Sequence, residues 1–396
     1  MQNPILWAEI DLDAISSNIR ELRRMIRSET AMMAVVKADG YGHGAAEIAR
    51  EALNTGARYL GVARTEEGVR LRKSGLSAPI LVFGFTPKDS FHDLVRYDLT
   101  QSAWSYESCA GLSEFATLSG KPIKVHIKID TGMGRLGICA GTFPPYPASL
   151  ESMNEKRKEL ESIFRLPGLI REGIFTHFAT ADSPDKTYAN AQFETFMEFL
   201  ELLKRSQMEF SLRHAANSAA LIEMPETHLD LVRPGISLYG LYPSPTTDRS
   251  RIKLYPAMTL KTRIIHLKEV SSGFKVSYGI TCQTEKRTRI ATLPLGYADG
   301  YDRGLSSRGY VLIRGVKAPI MGRVCMDLTM CDVGHIPGVS LNDEVVVFGR
   351  QGTEAVSIDR IAEMLDTINY EIVTSISVRV PRVYIRSNES HAPDQG

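Results

Sequence analysis

The chain has 396 residues, 43% hydrophobic and 23% charged, and its 47 lysines and arginines almost cancel 46 aspartates and glutamates, leaving a net charge of +1. That balance carries no electrostatic footprint of a nucleic-acid or anionic-membrane binder, and no apolar run is long enough to span a bilayer. The five cysteines (Cys109, Cys139, Cys282, Cys325, Cys331) are odd in number, scattered and without a C-x-x-C pair, which argues against a disulfide framework or a thiolate zinc site. The N-terminus lacks the basic region and continuous apolar core of a signal peptide, so a cytoplasmic protein is expected. The length exceeds what one hydrophobic core organises, so two domains are expected as well.

In chain order, residues 7–12 alternate as a strand and run into Asp11 and Asp13, which suit the cap of a helix reaching Arg23. From residue 32 to 240, short apolar runs alternate with helical patterns. Strands are predicted at 32–37, 59–63, 80–83, 100–103, 123–129, 173–177, 212–215 and 229–232, with helices such as 45–53, 66–73, 107–118 and 189–204 between them. Eight strands with intervening helices predict an α/β fold, a TIM-type (β/α)8 barrel over residues 1–243. The strand at 7–12 is surplus to those eight and is free to join a second domain. Residues 141–147, followed by the charged stretch 151–161, read as a long surface loop and an exposed helix without an assigned function. Beyond residue 243 the pattern turns to β runs at 258–270, 290–294, 309–314, 318–321, 326–333 and 344–348, with one late helix at 357–365. This predicts a mainly β domain over 244–396, and the tail 387–396 reads as disordered.

The densest motif is Val36-Lys37-Ala38-Asp39-Gly40-Tyr41-Gly42-His43-Gly44. A lysine ending a buried apolar strand is desolvated, which lowers its pKa toward a usable nucleophile. The glycines let backbone approach a ligand closely. Lysine chemistry beside such a turn suggests a carbonyl cofactor held as a Schiff base.

Active sites of such barrels collect at the C-terminal strand ends, where five strands here supply polar groups. Lys37 ends the first; Lys128 and Asp130 end the fifth, before Arg135; His177 ends the sixth. His214 ends the seventh, before Asn217-Ser218, and Arg233 ends the eighth, before Pro234-Gly235-Ile236. Asn217-Ser218 and the Gly235 and Ile236 amides follow late strands, where barrels commonly bind phosphate. In the β region, Ser277-Tyr278-Gly279, Gly296-Tyr297-Ala298-Asp299-Gly300-Tyr301 and Cys325-Met326-Asp327 look like a second wall of a site.

These motifs, in this order from residue 7 to 386, resemble the alanine racemase family. The resemblance implies a pyridoxal 5′-phosphate enzyme in which Lys37 forms the internal aldimine and serves as one base, while Tyr278 of the partner subunit in a homodimer is the base on the opposite face. Two bases are needed because a single fixed base tends to return the proton to the face it left. It further implies that Tyr41, Ser218, Gly235, Ile236 and Tyr370 bind the phosphate, with Asn217 nearby. Arg233 faces the pyridine nitrogen, and His177 with Arg233 supplies the environment that lets Tyr278 lose its proton. Arg135 holds the cofactor's phenolic oxygen and the substrate carboxylate, assisted by the Met326 amide of the other subunit; Tyr297 narrows the entrance; Lys128 matches a position carbamylated in many members. No metal is implied. The substrates would be L-alanine and D-alanine, the latter destined for peptidoglycan.

Other classes are a broader-specificity or serine racemase with the same bases, a non-catalytic pyridoxal-phosphate carrier, a related decarboxylase, and a metal-dependent hydrolase built on His126, His177 and His214. The carrier lacks a β domain with a Tyr278, and the three histidines come without a paired H-x-H or a carboxylate cluster.

Overall fold

A computed structural model describes residues 4–140 and 150–386; the loop expected at 141–147 and the tail expected at 387–396 lie outside the described residues. The chain divides into two compact units, one of Ile15–Gly40 and Ala45–Leu254, the other of Met1–Ala14, Tyr41–Gly44 and Tyr255–Gly396. Residues just past 243 stay with the first unit because they are bonded into it. The Ser244 hydroxyl donates to the Asp182 carbonyl at 2.9 Å and the Asp248 amide to the Glu223 carboxylate at 2.9 Å.

The first unit is the expected barrel. Its eight parallel strands are Ala31–Val35, Tyr59–Val62, Ile80–Val82, Leu99–Ala103, Ile123–Asp130, Leu169–Phe175, Leu212–His214 and Leu231–Val232, with the eighth paired to the first. The seventh and eighth meet outside regular pairing, through Asp230 N to Arg213 O at 3.1 Å and Arg233 N to Ala216 O at 2.9 Å. The strand Ala31–Val35 is buried along its whole length. Helices on one side and a filled interior on the other exclude water from both faces, hence continuous apolar runs instead of alternation.

Two expectations in this unit need correction. The sixth strand was expected at 173–177 but occupies Leu169–Phe175, its pairing with the fifth shifting register at Val125/His126. The His126 ring packs over Gly173, where a Cβ would fall 2.6 Å from Nδ1. The helix Leu150–Phe164 is not merely exposed, since Met153, Leu160 and Ile163 are buried. Short helices Phe91–Arg96 and Ser218–Glu223 were not anticipated.

The second unit is mainly β. Its large sheet runs Val316–Pro319, Tyr310–Ile313, Glu344–Gln351, Met258–Arg263, Leu6–Asp11 and Arg382–Ile385. Leu6–Asp11 lies antiparallel to Met258–Arg263 and parallel to Arg382–Ile385. At its end Asp11 Oδ1 accepts from the Asp13 and Ala14 amides at 2.9 and 3.1 Å and starts the helix Leu12–Arg24. The single run expected at 258–270 is two strands: Met258–Arg263 in the large sheet and His266–Val270 in a three-stranded sheet with Thr288–Leu293 and Thr329–Asp332. Likewise 326–333 contributes only Thr329–Asp332, which leaves Met326 in a loop. A second late helix, Asn369–Ser375, follows Ile358–Leu365 and carries Tyr370.

Candidate active site

The strand that delivers Lys37 stops at Val35, and Lys37 opens a left-handed turn instead of ending the strand. The conformation does not belong to glycine alone: Ala38, Asp39 and Tyr41 have φ of 51°, 52° and 50°, alongside Gly40 at 61°. Left-handed backbone at three non-glycine residues costs of order 1–3 kcal/mol each and persists only where the surroundings enforce it. Glu67 is one enforcer. Its carboxylate accepts from the amides of Ala38 at 2.7 Å, Ala63 at 2.7 Å and Arg64 at 3.0 Å, tying the turn to the loop after the second strand. Lys37 is held below the ordinary lysine range, first by desolvation and then by the positive charge of Arg135; Glu67 opposes this more weakly.

Three more cations share this end of the barrel. Lys128, on the fifth strand, is buried and its pKa is pushed down to about 8, by desolvation and then by Arg135, Arg233 and Lys37. Lys128 is therefore not a surface lysine. Asp130 proves to be an organiser: Oδ1 accepts from the amides of Gly132, Met133 and Gly134 at 3.0, 2.8 and 3.2 Å, and Oδ2 from Arg135 at 3.2 Å. It thus folds the loop that presents Arg135. Gly137 is obligatory there, since its Cβ would fall 2.4 Å from the Asp130 amide nitrogen.

Arg233, just past the eighth strand, is buried without a carboxylate partner among the described residues. Its guanidinium donates to the carbonyls of Thr176 and Ala215, both at 2.9 Å, to His214 Nδ1 at 2.8 Å and to His177 Nδ1 at 3.2 Å. Burial, with Arg135 adding to it, pushes its pKa down to about 9. A guanidinium has no lone pair to offer, so both histidines accept through Nδ1 and carry their proton on Nε2. Both are held well below the usual histidine range, by desolvation and then by Arg233. The direction propagates. His214 Nε2 donates to His126 Nδ1 at 2.8 Å, and His126 Nε2 to Glu172 at 3.1 Å, so each proton from Arg233 to a carboxylate terminus has one place. His177 lies two residues past its strand and reaches this cluster from the loop. The relay accounts for His126 and His214 without a metal.

The late-strand loops form a polar cup. Asn217 Oδ1 accepts from the Ala220 amide at 3.0 Å. Ser218 Oγ accepts from the amides of Gly235 at 2.9 Å and Ser237 at 3.4 Å. The Ser237 hydroxyl beside them is buried with no hydrogen-bond partner, and the Ile236 amide donates to no backbone carbonyl among the described residues. Orphaned donors of this kind suit an anionic ligand.

In the second unit, Tyr41 and Tyr370 stand with ring centroids 6.2 Å apart. Gly42 packs against the Val373 carbonyl, with a Cβ position only 2.2 Å from it, and its own carbonyl accepts from Arg382 Nε at 2.9 Å. Tyr278 is 72% exposed on a turn where Ser277 and Gly279 have φ of 65° and 69°. Ser277 Oγ donates to the Arg323 carbonyl at 2.6 Å and fixes that turn. Tyr297 and Met326 are also exposed. The amides of Tyr297 and Ala298 occupy the carbonyls of Cys325 and Met326, both at 3.0 Å. Arg379 clamps the loop by pairing with Asp299 at 2.9 Å and Asp327 at 2.7 Å.

Sequence reasoning passed over Glu172, Phe175, Ser237 and Arg379. Glu172 and Arg379 lie far in sequence from their partners, and no local spacing marks them. Ser237 follows directly on Gly235-Ile236 and was within reach of the phosphate argument.

Residues 10–243 match the family model "Alanine racemase, N-terminal domain" and residues 257–384 the model "Alanine racemase, C-terminal domain". An alanine racemase of Desulfosudis oleivorans is 51% identical over 387 residues, 97% of each chain, and one of Desulforamulus reducens is 50% identical over 97% of this chain and all of its own. Among solved structures, alanine racemase of Clostridium difficile 630 superposes with a TM-score of 0.91 at 38% identity over 98% of both chains. That of Bacillus anthracis with bound L-Ala-P gives 0.88 at 38% identity, over 98% of this chain and 96% of its own. Barrel, β unit and both family domains coincide along nearly the whole length, and the chain belongs to the alanine racemase family.

Proposed function

We propose that this protein interconverts L-alanine and D-alanine as a pyridoxal 5′-phosphate-dependent, two-base racemase, acts as a homodimer with shared active sites, and supplies D-alanine for peptidoglycan. The observation that carries it is the cationic barrel mouth. Lys37, Lys128, Arg135 and Arg233 act on one another electrostatically, while the carboxylates that oppose them, Glu67 and Asp130, already accept several backbone amides. Such a site favours an anionic ligand.

Lys37 would hold the cofactor aldehyde; Ser218, Gly235, Ile236, Tyr41 and Tyr370 its phosphate, with Asn217 shaping the cup; Arg233 its ring nitrogen; and Arg135 its phenolic oxygen. Bound pyridoxal phosphate supplies the electron sink that makes the substrate α-proton removable. Lys37, its ammonium disfavoured by burial, takes or returns that proton on one face. Tyr278 of the partner subunit serves the other face, where His177, neutral and with its proton on Nε2, offers a donor to the developing phenolate. Arg135 anchors the substrate carboxylate with the Met326 amide, and Tyr297 narrows the entrance. Arg233, a cation hydrogen-bonded to two neutral histidines, would disfavour a proton on a ring nitrogen held against it.

Lys128 is suited to carbamylation. A pKa near 8 leaves neutral amine to attack carbon dioxide at neutral pH, releasing one proton, and the surrounding cations stabilise the resulting anion.

The deciding experiment incubates the protein with each L-amino acid in deuterated water and follows optical rotation and α-proton exchange. Racemisation of alanine well ahead of serine supports the assignment. Exchange without racemisation removes the second base, and comparable rates on many amino acids replace alanine racemase by a broad-specificity enzyme. The helices among the described residues include none long and apolar enough to cross a membrane, which fits a cytoplasmic site for this reaction.

A further inference from the structure

We propose that Gly61 and Phe83 form a size-matched positioning pair that holds the Phe175 ring and, through it, the cations Lys128 and Arg233. Phe175 is the hub of the barrel mouth. Its ring stacks on the His214 imidazole with centroids 4.7 Å apart and planes 4° from parallel. Lys128 Nζ stands 5.7 Å from its centroid and the Arg233 Cζ 5.3 Å. Two desolvated cations thereby gain a ring quadrupole that attracts positive charge. The stack also sets the imidazole that accepts Arg233's hydrogen bond, so a displaced Phe175 disturbs both cations.

Phe83 supports Phe175 from across the barrel, with centroids 6.2 Å apart and planes tilted by 58°. It follows the third strand and has room there only because its neighbour on the second strand is glycine. A Cβ at Gly61 would fall 2.7 Å from Phe83 Cε2, 2.9 Å from Cζ and 3.0 Å from Met33 Sδ. Gly61 is an ordinary strand residue paired with Val35 and Leu81, and it is absent from the residues with positive φ. Backbone freedom does not require a glycine at this position; the Phe83 ring does.

The test uses Gly61→Ala, Phe83→Leu and the double variant, whose volumes compensate. The first readout is the titration of the Lys128 amine in the cofactor-free protein under carbon-dioxide-free buffer, by competitive acetylation and mass spectrometry. A ring attracts the ammonium form, so moving Phe175 away lowers the amine pKa, by about half a unit for Gly61→Ala. The second readout, the dissociation constant for pyridoxal phosphate, rests on the proposed function and is expected to rise about 3–10-fold. Phe83→Leu shifts both readouts the same way, and the double variant recovers at least half of the Gly61→Ala loss, a coupling expected only of residues in contact. A simple packing role lowers the melting temperature and moves neither readout. Unchanged readouts in Gly61→Ala, or a double variant no better than Gly61→Ala, overturn the pair. A wild-type protein that binds no pyridoxal phosphate overturns the proposed function, while the Lys128 titration still decides the pair.

Discussion

The barrel unit presents its proposed base, Lys37, on a strained left-handed turn, desolvated and beside the charge of Arg135. The β unit presents its proposed base, Tyr278, 72% exposed on a turn pinned by Ser277. One region builds an electrostatic environment within itself: four cations, two neutral histidines and a directed relay to Glu172. The other pins a turn through Ser277 and leaves the Tyr278 side chain exposed. Damage to the barrel mouth should therefore change cofactor binding and proton affinities together, whereas damage to the Tyr278 turn should change turnover alone.

The largest expected effect is at Lys37. Lys37→Ala should lower racemisation by about 10³-fold or more and move the borohydride-trapped cofactor label off residue 37, as peptide mapping would show. Next is Tyr278→Phe, which should lower kcat in both directions by about 10²–10⁴-fold while the cofactor dissociation constant stays within about threefold. Equal losses of turnover and cofactor binding in that variant would erase the contrast between the two units.

Glu172→Gln removes the anionic end of the relay but keeps an acceptor for His126. A loss of about 3–10-fold in kcat/KM is expected, with stability lowered by about 1–3 kcal/mol. If turnover is unaffected and only stability falls, the relay is a scaffold and does not reach Arg233. The smallest effect concerns pH. Lys128 has a folded pKa of about 8 against an ordinary value of 10.5, so between these values the unfolded chain binds more protons than the folded one. Stability of the uncarbamylated protein therefore rises with pH across that window, and burying the ammonium is a cost fully present below it. Lys128→Met should remove that group's share of the rise while Lys37 and Arg233, whose values are lowered too, keep theirs, so denaturant midpoints measured from pH 7 to 10.5 should run flatter than in the wild type.

Much of the barrel was legible because its strands, buried on both faces, leave continuous apolar runs such as Ala31–Val35 that stand out from the helices between them. The polar groups at their ends were legible for a related reason, since a charged residue closing an apolar run is conspicuous. The β unit was harder. Met258–Arg263 and His266–Val270 form one unbroken β-prone run in sequence, with neither glycine nor proline where the chain passes from one sheet to another. Strand propensity says that a residue is extended but not which partner it takes. The helix Asn369–Ser375 was missed beside a stronger pattern, although Tyr370 on it was picked out by resemblance.

By itself the sequence determined the barrel and its reactive residue types: a lysine just past the first barrel strand, arginines after the fifth and eighth, and a tyrosine flanked by serine and glycine. These are local properties of hydrophobic periodicity and side-chain chemistry. Only the tertiary structure decided what those groups are electrostatically. Asp130 became a loop organiser because four amides turned toward it, and His126 and His214 became neutral relay members because Arg233 can only donate. Lys128 became a weak base because burial and three other cations surround it. Charge state depends on neighbours brought together from distant parts of the chain, and folding is what brings them there.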